Sequence, residues 1–196
     1  MSGNVAVRNP SVSVDNFSKG RLKSSFVEAE TFTGMFMIRF EQVSKTYPGG
    51  FEALKNVSFR IKKGEMIFVA GHSGSGKSTV LKLISGITKP TLGKVWFNNQ
   101  DLGALNDNQI GFMRQHIGIV FQDHKILYDR NVLQNVILPL RIIGYQPGKA
   151  EERARIAVEK VGLKGRELDD PVTLSGGEQQ RLCIARAVVH QPSLLI

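Results

Sequence analysis

Met66-Ile67-Phe68-Val69-Ala70-Gly71-His72-Ser73-Gly74-Ser75-Gly76-Lys77-Ser78-Thr79 is the stretch that decides the fold. Its first five residues form an apolar run fit for a buried strand. The last nine read GxxxxGKS with a helical pattern behind them, which is a phosphate-binding loop set between strand and helix. The residue types have physical reasons. Gly71, Gly74 and Gly76 allow backbone conformations that turn N–H groups inward around an anion, and the helix N-terminus adds its positive dipole end. Lys77 supplies a point charge for the outer phosphates, and the Ser78 hydroxyl is placed to ligate Mg²⁺. Ser73, Ser75 and Thr79 complete the cradle. His72 fills a variable loop position, the alternative being a base. The stretch reads as a nucleoside triphosphate site.

Working outward, residues 38–43 and 54–61 are short β-branched or aromatic runs broken by Pro48-Gly49-Gly50 and Lys63-Gly64, which predicts strands. Strands are also expected over 94–97, 117–121 and 193–196. Helices are expected over 78–85, 131–143 and 149–161. Pro139 should kink or split the second of these. The third places Ala150, Ala154, Ala157 and Val161 on one stripe, with Glu151 and Arg155 paired four apart. Strands mixed with helices around a glycine loop imply an α/β domain. Residues 1–36 are rich in Ser, Val and Asn without periodicity, and are expected to be an unstructured leader added upstream of the native start; no internal repeat is visible.

The chain has 196 residues, 41% of them hydrophobic, with 26 Lys and Arg against 17 Asp and Glu for a formal net charge of +9. No apolar run approaches the roughly 18 to 20 residues of a membrane-spanning helix. One cysteine makes no internal disulfide, and no secretory core is seen, so the default compartment is the cytosol. The basic residues are spread out, with no dense tract and no aromatic interleaving, so direct nucleic-acid binding is not expected. Cys183, inside Leu182-Cys183-Ile184-Ala185, reads as a small core residue, with a reactive thiol as the alternative. Asp169 and Asp170 read as a solvated turn before Pro171.

A second motif, Leu174-Ser175-Gly176-Gly177-Glu178-Gln179-Gln180-Arg181, is a Ser cap and glycine turn opening a helix over 179–189. Alone it could be an ordinary cap. Paired with the upstream phosphate loop, it makes residues 37–196 resemble an ABC-type ATPase nucleotide-binding domain. The resemblance implies a P-loop NTPase fold: a mixed sheet core, an antiparallel β subdomain and a helical signature subdomain over about 125–185. It implies ATP and Mg²⁺ as cofactors. It also implies that Tyr47 stacks on adenine, the alternative being a packing Tyr in a turn. Gln122, at the end of the 117–121 strand, would contact Mg²⁺ and the attacking water and move with a transmembrane partner; the alternative is a plain polar strand end. Leu174, Ser175, Gly176, Gly177, Glu178 and Gln179 would close on the γ-phosphate held by the other subunit of a head-to-tail homodimer.

Residues 121–132, Asn135-Val136 and Leu138-Pro139-Leu140, with the opening Met37-Ile38-Arg39-Phe40-Glu41 through Tyr47-Pro48-Gly49-Gly50, resemble the cell-division subgroup of that family, the FtsE type. That subgroup acts with a membrane protein, FtsX, to control cell-wall hydrolases from the cytoplasmic face of the inner membrane. Lipoprotein-release and macrolide-export ATPases are the alternative subgroup. The family's acidic pair, Asp for Mg²⁺ and Glu as general base, would follow residues 193–196, where the sequence stops. The expectation is that the chain as written hydrolyses ATP little or not at all, a non-hydrolysing nucleotide-binding fragment being a further alternative function.

Overall fold

The computed structural model describes the backbone of residues 6–8 and the whole of residues 36–196. The chain divides into two compact units, up to Asn106 and from Asp107 onward.

The first unit contains β1 (Ala6–Arg8), β2 (Phe36–Thr46), β3 (Glu52–Lys62), β4 (Phe68–Ala70), helix α1 (Lys77–Ile84), β5 (Leu92–Phe97) and β6 (Gln100–Asp101). An antiparallel sheet runs in the order β3-β2-β5-β6. β2 sits inside it and buries Ile38, Phe40 and Val43, with Val95 and Phe97 of β5 beside them. Register shifts near residues 40–45 reset the pleat, and Phe40 stacks on Phe59 with centroids 4.4 Å apart. Gly49 and Gly50 take φ of 90° and 82°, left-handed conformations within the expected Pro-Gly-Gly turn.

Two expectations are corrected in this unit. Residues 66–70 were expected to be a buried strand, yet Met66 and Phe68 are 66% and 57% exposed. Burial on both faces needs strands on either side and helices above and below, and β4's one described partner is β1, antiparallel to it. Ala6–Arg8, within the segment expected to be unstructured, is that partner; the rest of residues 1–35 lies outside the described residues.

The second unit contains α2 (Asp107–Arg114), β7 (Ile117–Gly118), α3 (Val132–Ile142), α4 (Pro147–Lys160), a 3₁₀ turn at Pro171–Thr173, α5 (Gly176–Val188) and β8 (Leu194–Leu195). β7 and β8 pair in parallel, and the pairing continues through Ile196 N–H to Gly118 O (2.9 Å) and Val120 N–H to Ile196 O (2.8 Å). Helices α3, α4 and α5 share one core, in which Val136, Leu140, Ala150, Ala154, Val158, Leu182 and Cys183 are buried. Small alanines on α4 let its neighbours approach closely. The Glu151–Arg155 pair forms at 2.7 Å on the opposite, exposed face.

α3 is not split by Pro139: it runs unbroken to Ile142, and Ile143 N–H still reaches Pro139 O at 3.2 Å. One missing N–H is offset by burial of six residues of this short helix. Gly118 is packed tightly enough that a Cβ would overlap the Ala187 carbonyl and meet Pro192 Cγ at 2.9 Å. Gly118→Ala is therefore expected to cost about 1–3 kcal/mol, read as a lower urea midpoint with unchanged slope.

Candidate nucleotide site

The phosphate loop is built by glycine geometry. Gly74 has φ of 78° and Gly76, the residue before α1, has φ of 93°, both left-handed. α1 starts at Lys77, and Val80 N–H is the first amide to close back, onto Gly76 O at 3.0 Å. A helix leaves its first N–H groups without partners inside the helix, so the amides from Gly76 to Thr79 form an electropositive end. Open space lies where a Cβ on Gly74 would stand. Into this cradle Lys77 folds back: its Nζ donates to Gly71 O and His72 O, both at 2.8 Å, and lies 3.5 Å from Ser75 Oγ. The loop's own carbonyls thus hold the ammonium where an anion would neutralise it.

His72 Nδ1 lies 2.7 Å from Ser73 O, a contact within the loop. Ser73 and Ser78 are exposed; Ser75 and Thr79 are buried, at 1% and 7%. Tyr47 belongs to the same unit. The turn after β2 fixes it through Tyr47 N–H to Phe51 O (2.9 Å) and Gly50 N–H to Tyr47 O (3.1 Å). Its hydroxyl is 3.4 Å from Thr79 Oγ1, at the foot of the loop, and Lys45 Nζ lies 5.2 Å over its ring. A half-buried aromatic is therefore presented beside the phosphate cradle.

The remaining sequence-predicted residues lie in the second unit. Gln122 is exposed in the irregular segment after β7. Leu174 is buried, and Ser175, Gly176 and Gly177 are exposed at the start of α5. Ser175 and Glu178 form a capping box: Glu178 Oε2 accepts from Ser175 N–H and from Ser175 Oγ, both at 2.8 Å. Gln179 Nε2 donates to Pro171 O at 3.0 Å, tying the motif to the 3₁₀ turn.

These bonds from Ser175 hold the Glu178 carboxyl below the usual glutamate range. They favour the charged form, so their contribution is present above about pH 4.5 and is lost as pH falls through the lowered value. Ser175→Ala is expected to lower the melting temperature by a few degrees at pH 7 and by less near pH 3. Thermal melts at the two pH values check this.

The structural roles of two residues around these motifs went unread in the sequence. Asn135 is fully buried and brackets the segment before α3. Its Oδ1 accepts from Leu127 N–H at 3.0 Å, and its Nδ2 lies 2.9, 3.1 and 3.0 Å from the carbonyls of Leu127, Arg130 and Asn131. The signal was available: a lone Asn on the apolar face of a helix needs internal partners. Arg186 reaches the carbonyls of His124 and Lys125, and nothing in the sequence marks that contact. Cys183 is a core residue as read, its thiol pushed up by burial. Asp170 caps the 3₁₀ turn through Val172 N–H at 3.0 Å, while Asp169 pairs with Arg166. Among the described residues no three His, Cys, Asp or Glu side chains gather as a metal cluster. The donor set beside the loop suits a hard ion held through a hydroxyl, phosphate oxygens and water.

Comparison with known proteins matches residues 54–196 to the family described as ABC transporter. The chain is 51% identical over 160 residues to the cell division ATP-binding protein FtsE of Escherichia coli (strain K12), covering 82% of this chain and 72% of that protein. It is 40% identical over 164 residues to the lipoprotein-releasing system ATP-binding protein LolD of Saccharophagus degradans (strain 2-40), covering 82% and 72%. Among solved structures it resembles the dimeric, post-hydrolysis ATP-binding cassette MJ0796 bound to ADP and Pi, with a TM-score of 0.73 at 36% identity, covering 81% of this chain and 72% of that one. A glycine cradle with its lysine, a capped Ser-Gly-Gly helix start and these matches together make the chain a member of the ABC transporter ATP-binding family, an α/β ATPase cassette.

Proposed function

We propose that this chain is the ATP-binding subunit of a bacterial cell-division complex of the FtsE–FtsX type. In that reading it couples ATP binding and hydrolysis to control of cell-wall hydrolysis at the septum. The observation that carries the nucleotide part is the open glycine cradle at the N-terminus of α1, with Lys77 folded onto it. Lys77 would turn to the outer phosphates, Ser78 would ligate Mg²⁺ and Tyr47 would cover the adenine. Gln122 would contact Mg²⁺ and the attacking water, and residues 174–179 would close on the nucleotide of a second copy. The dimeric cassette of 36% identity supports such a homodimer.

The cell-division part rests on residues 121–132 and on the higher identity to FtsE than to LolD. No helix among the described residues is long and apolar enough to cross a membrane. In this reading membrane attachment runs through the partner, with the protein peripheral at the cytoplasmic face. A cleft of about 270 Å³ lined by Phe121, Leu138, Pro139 and Ile142 supports a docking face near Gln122 and α3. Affinity purification of the tagged full-length gene product from its own membranes tests the reading. The FtsX-type protein is the expected companion, and recovery of an exporter or lipoprotein-release permease alone would overturn the assignment.

A further inference from the structure

Between Val120 and Ile126 the backbone makes an irregular step that is held from a distant helix. His124 and Lys125 adopt left-handed conformations, with φ of 59° and 47°, which residues with a Cβ rarely take. The guanidinium of Arg186, in α5, spans both: Nη2 donates to His124 O and Nη1 to Lys125 O, each at 2.7 Å. Cys183, three residues earlier on the same helix, donates its thiol to His124 O at 3.1 Å. An ion pair of 2.7 Å between Asp123 and Lys125 crosses the step. Upstream, Val120 N–H is tied to Ile196 O at 2.8 Å. Downstream, Asn135 holds Leu127 by both N–H and C=O.

Gln122 thus lies midway between two anchored points, Val120 and His124. Lys125 is exposed and His124 only half-buried, so these carbonyls could be satisfied by water. The fork is therefore not needed to rescue deeply buried groups. Instead it fixes a disfavoured backbone shape, and a planar fork matches two successive carbonyls where an ammonium cannot. Arg186 stands eleven residues beyond Ser175 on one helix, roughly 16 Å along its axis. One continuous helix therefore joins the fork to the Ser175 cap.

We infer that Arg186 is a positioning residue, which sets the placement of Gln122 and links it to the Ser175-Gly176-Gly177 end of α5. The link to chemistry rests on the proposed role of Gln122 at Mg²⁺. The test uses the full chain with Arg186→Ala, Arg186→Lys, Gln122→Ala and the double variant of the two alanine changes. Amide hydrogen exchange over residues 123–126 is expected to rise about tenfold or more in Arg186→Ala and less in Arg186→Lys. Exchange over 182–189 should stay within about twofold. The gain in ATP affinity on adding Mg²⁺ is expected to fall about threefold in Arg186→Ala and in Gln122→Ala, and no further in the double variant. Faster exchange throughout α5, an unchanged Mg²⁺ gain in Arg186→Ala, or additive losses in the double variant would overturn the inference. Loss of the Mg²⁺ gain in the wild type would overturn it together with the proposed role of Gln122. An undiminished Mg²⁺ gain in Gln122→Ala would do the same, whereas failure of the fork alone leaves the Gln122→Ala loss in place.

Discussion

Replacing Lys77 with alanine is expected to weaken ATP binding by about one to two orders of magnitude while shifting stability by under roughly 0.5 kcal/mol. The two effects separate because of where Nζ now sits. Its partners, Gly71 O and His72 O, belong to an exposed loop, and water can replace the ammonium at both. A triphosphate offers charge-assisted bonds instead, of about 1.5–3 kcal/mol, which is a factor of roughly ten to a hundred and fifty in affinity. Titration with a fluorescent ATP analogue beside a thermal melt measures both quantities. Unchanged affinity in the variant would mean that the anion is not held at this loop.

Asn135→Leu is expected to have the opposite signature, a loss of about 2–4 kcal/mol of stability from a residue that need not touch nucleotide. Its side chain is fully buried and serves one N–H and three C=O groups between Leu127 and Asn131. Leucine keeps the volume and removes every partner, and an unsatisfied buried polar group costs about 1–3 kcal/mol. Gln134→Ala, one residue earlier and exposed, loses only its part of the Asn131 capping box and is expected to cost no more than about 1 kcal/mol. Urea denaturation of the two variants makes the comparison. Similar midpoints would show that the Asn135 bonds are not what holds this segment.

What the sequence made legible was whatever depends on short spacing. The left-handed glycines of the loop, the Pro48-Gly49-Gly50 turn, the alanine stripe of α4 and the Ser175 cap are all local patterns, and each appears where its spacing put it. What it hid depends on distant partners. Burial of residues 66–70 could not be judged from their apolar run, because exposure of Phe68 is set by which strand lies beside β4. α2 was missed because its apolar face is thin, with Ile110 and Met113 as its buried residues. Pro139 did not split α3 because helix propensity was outweighed by burial of Val136, Ile137 and Leu140. Arg186 could not have been found at all, since its partners are more than sixty residues away.

The central claim is that a nucleoside triphosphate is held by the amides at the start of α1, beside Tyr47. An amide NMR titration of the 196-residue chain with MgATP tests it most directly. The expected result is a saturable set of shifts centred on Gly74, Gly76, Lys77, Ser78 and Thr79, with smaller shifts at Tyr47, absent in Lys77→Ala at the same concentration. Shifts centred instead on the cleft around Phe121 and Ile142, or no saturable shifts, would contradict it.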